Sequence, residues 1–245
     1  MRWLDRLTPA KERALLVLVV LVASLGYAPM GALSVDRAAW RPGTSIDVGT
    51  PFLAEGIFIY VWLYPMAVLP LVAIRDRRLL RRVVLAYLLV DVISYATFLL
   101  VPVRFDARPV IEGTGSLATW GMTLMHWADP PSNCFPSLHV SISYLAAFAV
   151  GEEDRRLGRR ALVIATVISF STVIVKQHWL ADVVAGAALG ALAWWLLVRG
   201  RGTVSDAPHR GVRLLVLAQL GVYLAAWTAY RAGWAPWESS ATAYW

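Results

Sequence analysis

Seven apolar runs separated by short, arginine-dense loops dominate this chain, at about residues 14–33, 57–74, 83–103, 138–150, 160–176, 179–198 and 213–230. A helix needs roughly 20 apolar residues to cross a bilayer. Six of the runs approach that length, and the one at 138–150 spans only with the help of the residues before it. Inside lipid every backbone amide must be satisfied within the segment, so such runs can only be helices. Composition agrees: 58% of the residues are hydrophobic and the mean hydropathy is +0.58, whereas soluble domains sit near roughly 45–50% apolar. Twelve tryptophans and nine tyrosines suit the water–bilayer interface. The expected fold is therefore all-α: a polytopic membrane helix bundle forming a single integral-membrane domain over 1–245. No repeat, low-complexity tract or long linker divides it.

The net charge of +7 is read as topology rather than as a nucleic-acid footprint, because the cations cluster between apolar runs. The loops before the first run, between the second and third, between the fourth and fifth, and between the sixth and seventh hold 17 of the 23 basic residues. Cationic loops stay in the cytoplasm, so the N-terminus is expected inside and the C-terminus outside. The first run follows a basic N-terminus, which also fits a signal peptide, but its length and the lack of an A-x-A site favour a retained helix. Arginine outnumbers lysine 21 to 2, a bias of GC-rich bacterial genomes, so a bacterial plasma membrane is the expected location. The single cysteine, Cys134, cannot form an internal disulfide.

On this topology His139, His178, Asp182, Arg104, Arg108 and Lys176 all fall on the outer face, although they come from three separate stretches. His178 and Asp182 stand four residues apart in VKQHWLADVVAG, which places both on one helix face. A carboxylate there can accept the Nδ1–H of the imidazole, leaving Nε2 for a substrate. The same spacing also suits two metal ligands, although no HExxH or CxxC pattern supplies the rest of a zinc site. His139 lies in NCFPSLHVS. There Ser137 is a plausible N-cap, and a helix N-terminus attracts anions. Arg108, followed by Pro109, offers a planar fork for phosphate oxygens. Arg104 fits either phosphate contact or snorkelling to headgroups. Lys176 and Gln177 either donate to a phosphoryl oxygen or mark the interface. Asp91, in the middle of the third run, is an intramembrane carboxylate with no assigned partner.

At these residues the chain resembles the type 2 phosphatidic acid phosphatase superfamily, membrane relatives of the vanadium haloperoxidases. The family pattern is K-x6-R-P, then P-S-G-H, then S-R-x5-H-x3-D. Arg108 and Pro109 match the end of the first motif, Pro136 to His139 the second, and Ser171, His178 and Asp182 the third. The first motif's lysine falls on Val101, the second's glycine on Leu138 and the third's arginine on Thr172. The words FPSLH and KQHxxxD look more like the subgroup that includes inositol-phosphorylceramide synthases.

The resemblance implies a six-helix catalytic core, at about 57–198, with the seventh helix extra. It implies a phosphohistidine on His178, oriented by Asp182, with His139 protonating the leaving group. Arg108 and Ser137, with Lys176 and Arg104 in place of the missing motif cations, would bind phosphate. Neither cofactor nor metal is expected. The implied partners are a membrane lipid phosphate and the bilayer, with no nucleic acid and with oligomeric state open. Water as acceptor makes a phosphatase, and an alcohol makes a phosphotransferase. Asp106, Glu112, His126 and Asp129, in the 104–135 loop, fit either acceptor contacts or plain surface. The competing class is a lipid transporter or flippase, disfavoured because the polar residues gather at one interface rather than at the midplane.

Overall fold

The computed structural model describes residues 2–34, 37–129, 131–203 and 210–238. The helices are α1 (Pro9–Ser24), α2 (Tyr27–Ser34), α3 (Ser45–Gly49), α4 (Ile57–Tyr60), α5 (Leu63–Ala73), α6 (Arg77–Leu100), α7 (Leu117–Ala128), α8 (Leu138–Gly151), α9 (Arg155–Ile174), α10 (Leu180–Leu197) and α11 (Arg210–Arg231). Among the described residues there is no strand, only isolated bridges joining Trp40 to Val103 and Val103 to Asn133. Six stretches are long and apolar enough to cross a membrane: Pro9–Ser34, Ala54–Ala73, Arg77–Leu100, Arg155–Ile174, Leu180–Leu197 and Gly211–Arg231; Leu138–Gly151 is a shorter apolar helix. The chain is thus an all-α, polytopic integral-membrane bundle.

Two runs read as continuous are broken. The first divides at the Leu25–Gly26 turn between α1 and α2, and the second divides at Val61–Trp62 between α4 and α5. The stretch expected as a loop at 104–135 contains α7, whose start is closed by reciprocal bonds between Ser116 and Thr119. Threonine stands where a capping box usually has Glu or Gln, so the signal is weak in the sequence.

The core is built by α5, α6, α8, α9 and α10 around Leu79, Val83, Val90, Leu145 and Ile168. α10 approaches α8 through Gly186 and Gly190. A Cβ on Gly186 would lie 2.6 Å from the Ser137 carbonyl oxygen, and one on Gly190 would lie 2.4 Å from that of Ser141. Small residues four apart let two membrane helices touch along their backbones. This contact brings the starts of α8 and α10 together, where Ser137 N–H donates to the Asp182 carbonyl at 3.1 Å.

At the opposite, arginine-rich end, acidic side chains tie the helices. Glu12, 1% exposed, pairs with Arg77 and Arg81 of α6. Glu153 accepts from the backbone amides of Arg75 and Asp76. Glu152 accepts from Trp194 Nε1 at 2.9 Å and from the Gly200 amide at 2.7 Å. Burying such charges is costly unless they are paired, so the arginines here lock the bundle as well as setting its charge.

α11 packs on the edge of this core through Val212 and Leu215. Tyr223 donates its hydroxyl to the Phe58 carbonyl, and Tyr230 donates to Gly115 at 3.1 Å. Trp120 Nε1 donates to the carbonyl of Trp234, just beyond the helix, at 2.8 Å. Leu214, Leu217, Leu220 and Leu224 are exposed, as lipid-facing side chains would be.

Candidate active site

Three loops converge at the end of the bundle opposite the arginine cluster. The segment after α6 is held by Trp40, whose amide donates to Pro102 and whose carbonyl accepts from Arg104. The segment before α8 joins it through Phe105 N–H, which donates to the Pro131 carbonyl. It is also tied to α2, because Asn133 Nδ2 donates to Tyr27 at 2.8 Å. The third loop, Val175–Trp179, folds back on the C-terminus of α9. The amides of Gln177 and His178 donate to the Thr172 carbonyl at 3.0 and 3.3 Å. Lys176 takes a left-handed φ of 57° to make that turn, a conformation that strains a non-glycine residue and is held by its surroundings.

These loops bring together most of the residues expected from the sequence. His178, 4% exposed, sits with Nδ1 3.4 Å from Asp182 Oδ2. Asp182 is fully buried, and the same Oδ2 accepts from the Trp179 amide at 2.9 Å. The carboxylate is thereby fixed beside the ring. His139, in the first turn of α8, lies between Tyr60 and His178, with ring centroids at 4.5 Å and 5.6 Å. Ser137 is the N-cap of α8, its Oγ accepting from Val140 N–H at 3.4 Å. Arg108 bridges two loops: Nη1 donates to the Asp129 carbonyl at 2.7 Å and Nη2 to Gln177 Oε1 at 2.5 Å.

The other two expected cations have other partners. Lys176 Nζ donates to the Asp47 carbonyl at 2.6 Å. Arg104 pairs with Asp106 at 2.7 Å, and Asp106 with Arg41. Arg104 serves the site through its backbone, since its carbonyl accepts from Trp179 Nε1 at 2.9 Å. Glu112 lies in the connection before α7, outside this cluster of contacts.

Several supporting residues were not anticipated. Asp47 Oδ1 accepts from the Leu180 amide at 2.7 Å, capping α10 from a distant loop. Its Oδ2 accepts from Thr44 N–H and Oγ1. Gly43 packs against the Trp179 ring, where an added Cβ would come within 2.7 Å. The TSID word around Thr44 is a local helix-start signal, but nothing in it points to residue 180. Tyr27 donates to Asp129 Oδ1 at 2.8 Å. Burial raises the Asp129 carboxyl above its usual range, against the pull of Arg108 and Tyr27. Burial, reinforced by Arg108, pushes His126 down to about 3.

Donor atoms of Cys134, His178 and Asp182 lie within 4.8 Å of one another, three ligands of the kinds that hold a metal. Cys134 Sγ donates to the Pro131 carbonyl at 3.1 Å, and burial raises the thiol well above its ordinary value. Both features favour a neutral thiol, whereas metal ligation needs the thiolate.

Beside the cluster opens a cavity of about 810 Å³, walled by α1, α4, α5, α6, α7, α8 and α11. Its lining is mostly aliphatic and aromatic, and His139 and Asp129 stand in its wall. A chamber of this kind, apolar with a few convergent polar groups, is the usual form of a small-molecule site.

A family model described as the PAP2 superfamily matches residues 77–205, more than half of the chain. The chain belongs to the PAP2 superfamily. The match runs from the start of α6 past the end of α10, so it contains His139, His178, Asp182, Arg104, Arg108 and Lys176. No curated protein and no solved structure matches the chain.

Proposed function

We propose that this PAP2-superfamily membrane protein cleaves a lipid phosphate ester through a covalent phosphohistidine. One observation carries the reading: a buried His–Asp pair stands against a second histidine, and that second histidine, His139, lines an apolar chamber. In this mechanism His178 Nε2 attacks phosphorus as the bond to the lipid oxygen breaks. His139, entering the step as the imidazolium, gives its proton to that oxygen, and the lipid alcohol leaves with His139 neutral. Asp182 holds the ring through Nδ1 and stabilises its positive charge. His139 then takes a proton from water, which attacks phosphorus and frees His178 and phosphate. Arg108, the Ser137 region and the amides at the start of α8 supply positive potential for the equatorial oxygens.

The FPSLH and KQHxxxD words support a second outcome, in which a lipid alcohol replaces water and the phospho group is transferred, as in the inositol-phosphorylceramide-synthase-like subgroup. The distribution of arginines supports a cytoplasmic N-terminus and an extracytoplasmic site in a bacterial plasma membrane.

The test uses purified protein in mixed micelles, lipids labelled in the phosphate and an alcohol-bearing lipid, with His178→Ala as control. His178-dependent free phosphate supports the phosphatase, and label in a new lipid supports the transferase. Absence of both across a broad panel of lipid phosphates would return the chain to the transporter class.

A further inference from the structure

Asp91 plays no part in the chemistry above. It lies inside the Arg77–Leu100 span, 6% exposed, and it lines the chamber. Among the described residues none hydrogen-bonds its carboxyl. None of the hydroxyls one turn away on α6 bonds to it: Tyr87 donates to the Ala67 carbonyl and Tyr95 to the Ala23 carbonyl, each at 3.0 Å, and the buried Ser94 Oγ has no hydrogen-bond partner among the described residues. Across the chamber, Ser24 donates to Val20 and Tyr223 to Phe58. A carboxyl in an apolar wall is costly without a partner, and this one meets the space that the ligand would fill.

We infer that Asp91 is a specificity-determining residue that hydrogen-bonds a hydroxyl group on the hydrophobic part of the bound lipid. Depth decides which part. Asp91 precedes Leu100, at the site end of α6, by nine residues, which is about 14 Å along a helix axis. Hydroxyls of a headgroup or glycerol backbone stay near the phosphorus, so the donor at Asp91 is a mid-chain hydroxyl. An ammonium would carry a full charge to the same depth and meet a far larger desolvation cost. A hydroxyl can donate to the carboxylate or accept from the neutral acid.

The assignment rests on the chamber holding the lipid's hydrophobic part, not on the phosphorus chemistry. The test therefore uses probes without phosphorus: octadecanol and its mid-chain hydroxylated counterpart, competed against a fluorescent fatty alcohol on the full chain in detergent. The wild type should prefer the hydroxylated alcohol by about tenfold or more, the range of a hydrogen bond to a charged group. Asp91→Leu should abolish that preference and leave octadecanol binding intact. Asp91→Asn, closer in shape, should shrink it and stands in if the leucine variant does not fold. Equal wild-type affinities, or a preference that survives both substitutions, would overturn the assignment. The result holds whether or not the chain releases phosphate.

Discussion

Asp182→Asn is the sharpest probe of the proposed chemistry, because it removes a charge while leaving the shape of the site almost unchanged. The amide oxygen can still accept from Trp179 N–H, as Oδ2 does now at 2.9 Å. The bond from Ser137 N–H goes to the Asp182 backbone and is unaffected. What disappears is the attraction between a carboxylate and an imidazole that becomes cationic when His178 attacks. At the 3.4 Å separation, and at an effective dielectric of about 20, that attraction is about 5 kcal/mol. If it is felt mainly in the transition state, turnover should fall about 10³- to 10⁴-fold. Initial rates of phosphate release from a lipid phosphate in mixed micelles measure this. A melting temperature near that of the wild type would show that the fold is kept. A folded variant within about tenfold of the wild-type rate would remove Asp182 as the partner of a charged His178.

The remaining predictions concern the supports of the site. Arg108→Lys keeps the charge but loses the fork that now reaches both Asp129 and Gln177; kcat/KM should drop by roughly 10- to 100-fold, and an unchanged value would mean that Arg108 only joins the loops. His126 should make the protein acid-labile. Its folded value of about 3 lies below the usual imidazole value of about 6.5, so between them the unfolded chain binds the extra proton and stability falls as pH drops. Thermal unfolding at about pH 7 and about pH 5 should show a smaller loss in His126→Gln than in the wild type; equal losses would clear His126. Asp47→Ala removes the cap on Leu180 and should cost about 1–2 kcal/mol and lower kcat more than it raises KM. EDTA should leave activity intact, as should Cys134→Ala; loss on chelation with recovery on adding a divalent ion would make Cys134, His178 and Asp182 a metal site.

Much of the bundle was legible because lipid imposes a single rule on every spanning segment: long apolar runs must be helices. That rule carried α6, α9, α10 and α11 to within a few residues at most ends. It missed the arginines at the start of α6 and α9, because charge reads as loop; the caps Asp76 and Asp154 show that both helices begin before their apolar stretch. It missed α7 because an amphipathic helix lying among loops gives no spanning signal. Helical spacing named the right pair for the wrong reason. α10 starts only at Leu180, so His178 is not on a helix face with Asp182 but in the loop that folds back on α9 and returns it to the start of α10. His139 followed from sharing a membrane face. The partners of Lys176 and Arg104 did not follow, since a cation's partner depends on which distant loop arrives beside it. Asp47 is the clearest case, reaching residue 180 from a loop more than a hundred positions away.

Arg108 already has two good acceptors, a backbone carbonyl and an amide oxygen. In the proposed mechanism a phosphate that reaches Arg108 must therefore displace existing bonds, and the exchange returns little net free energy in the ground state. The return grows only as charge builds on the phosphoryl oxygens, beyond what neutral acceptors can match. Such a competition penalises tight resting binding and rewards the transition state. It also ties substrate arrival to the release of Gln177, the residue immediately before the proposed nucleophile.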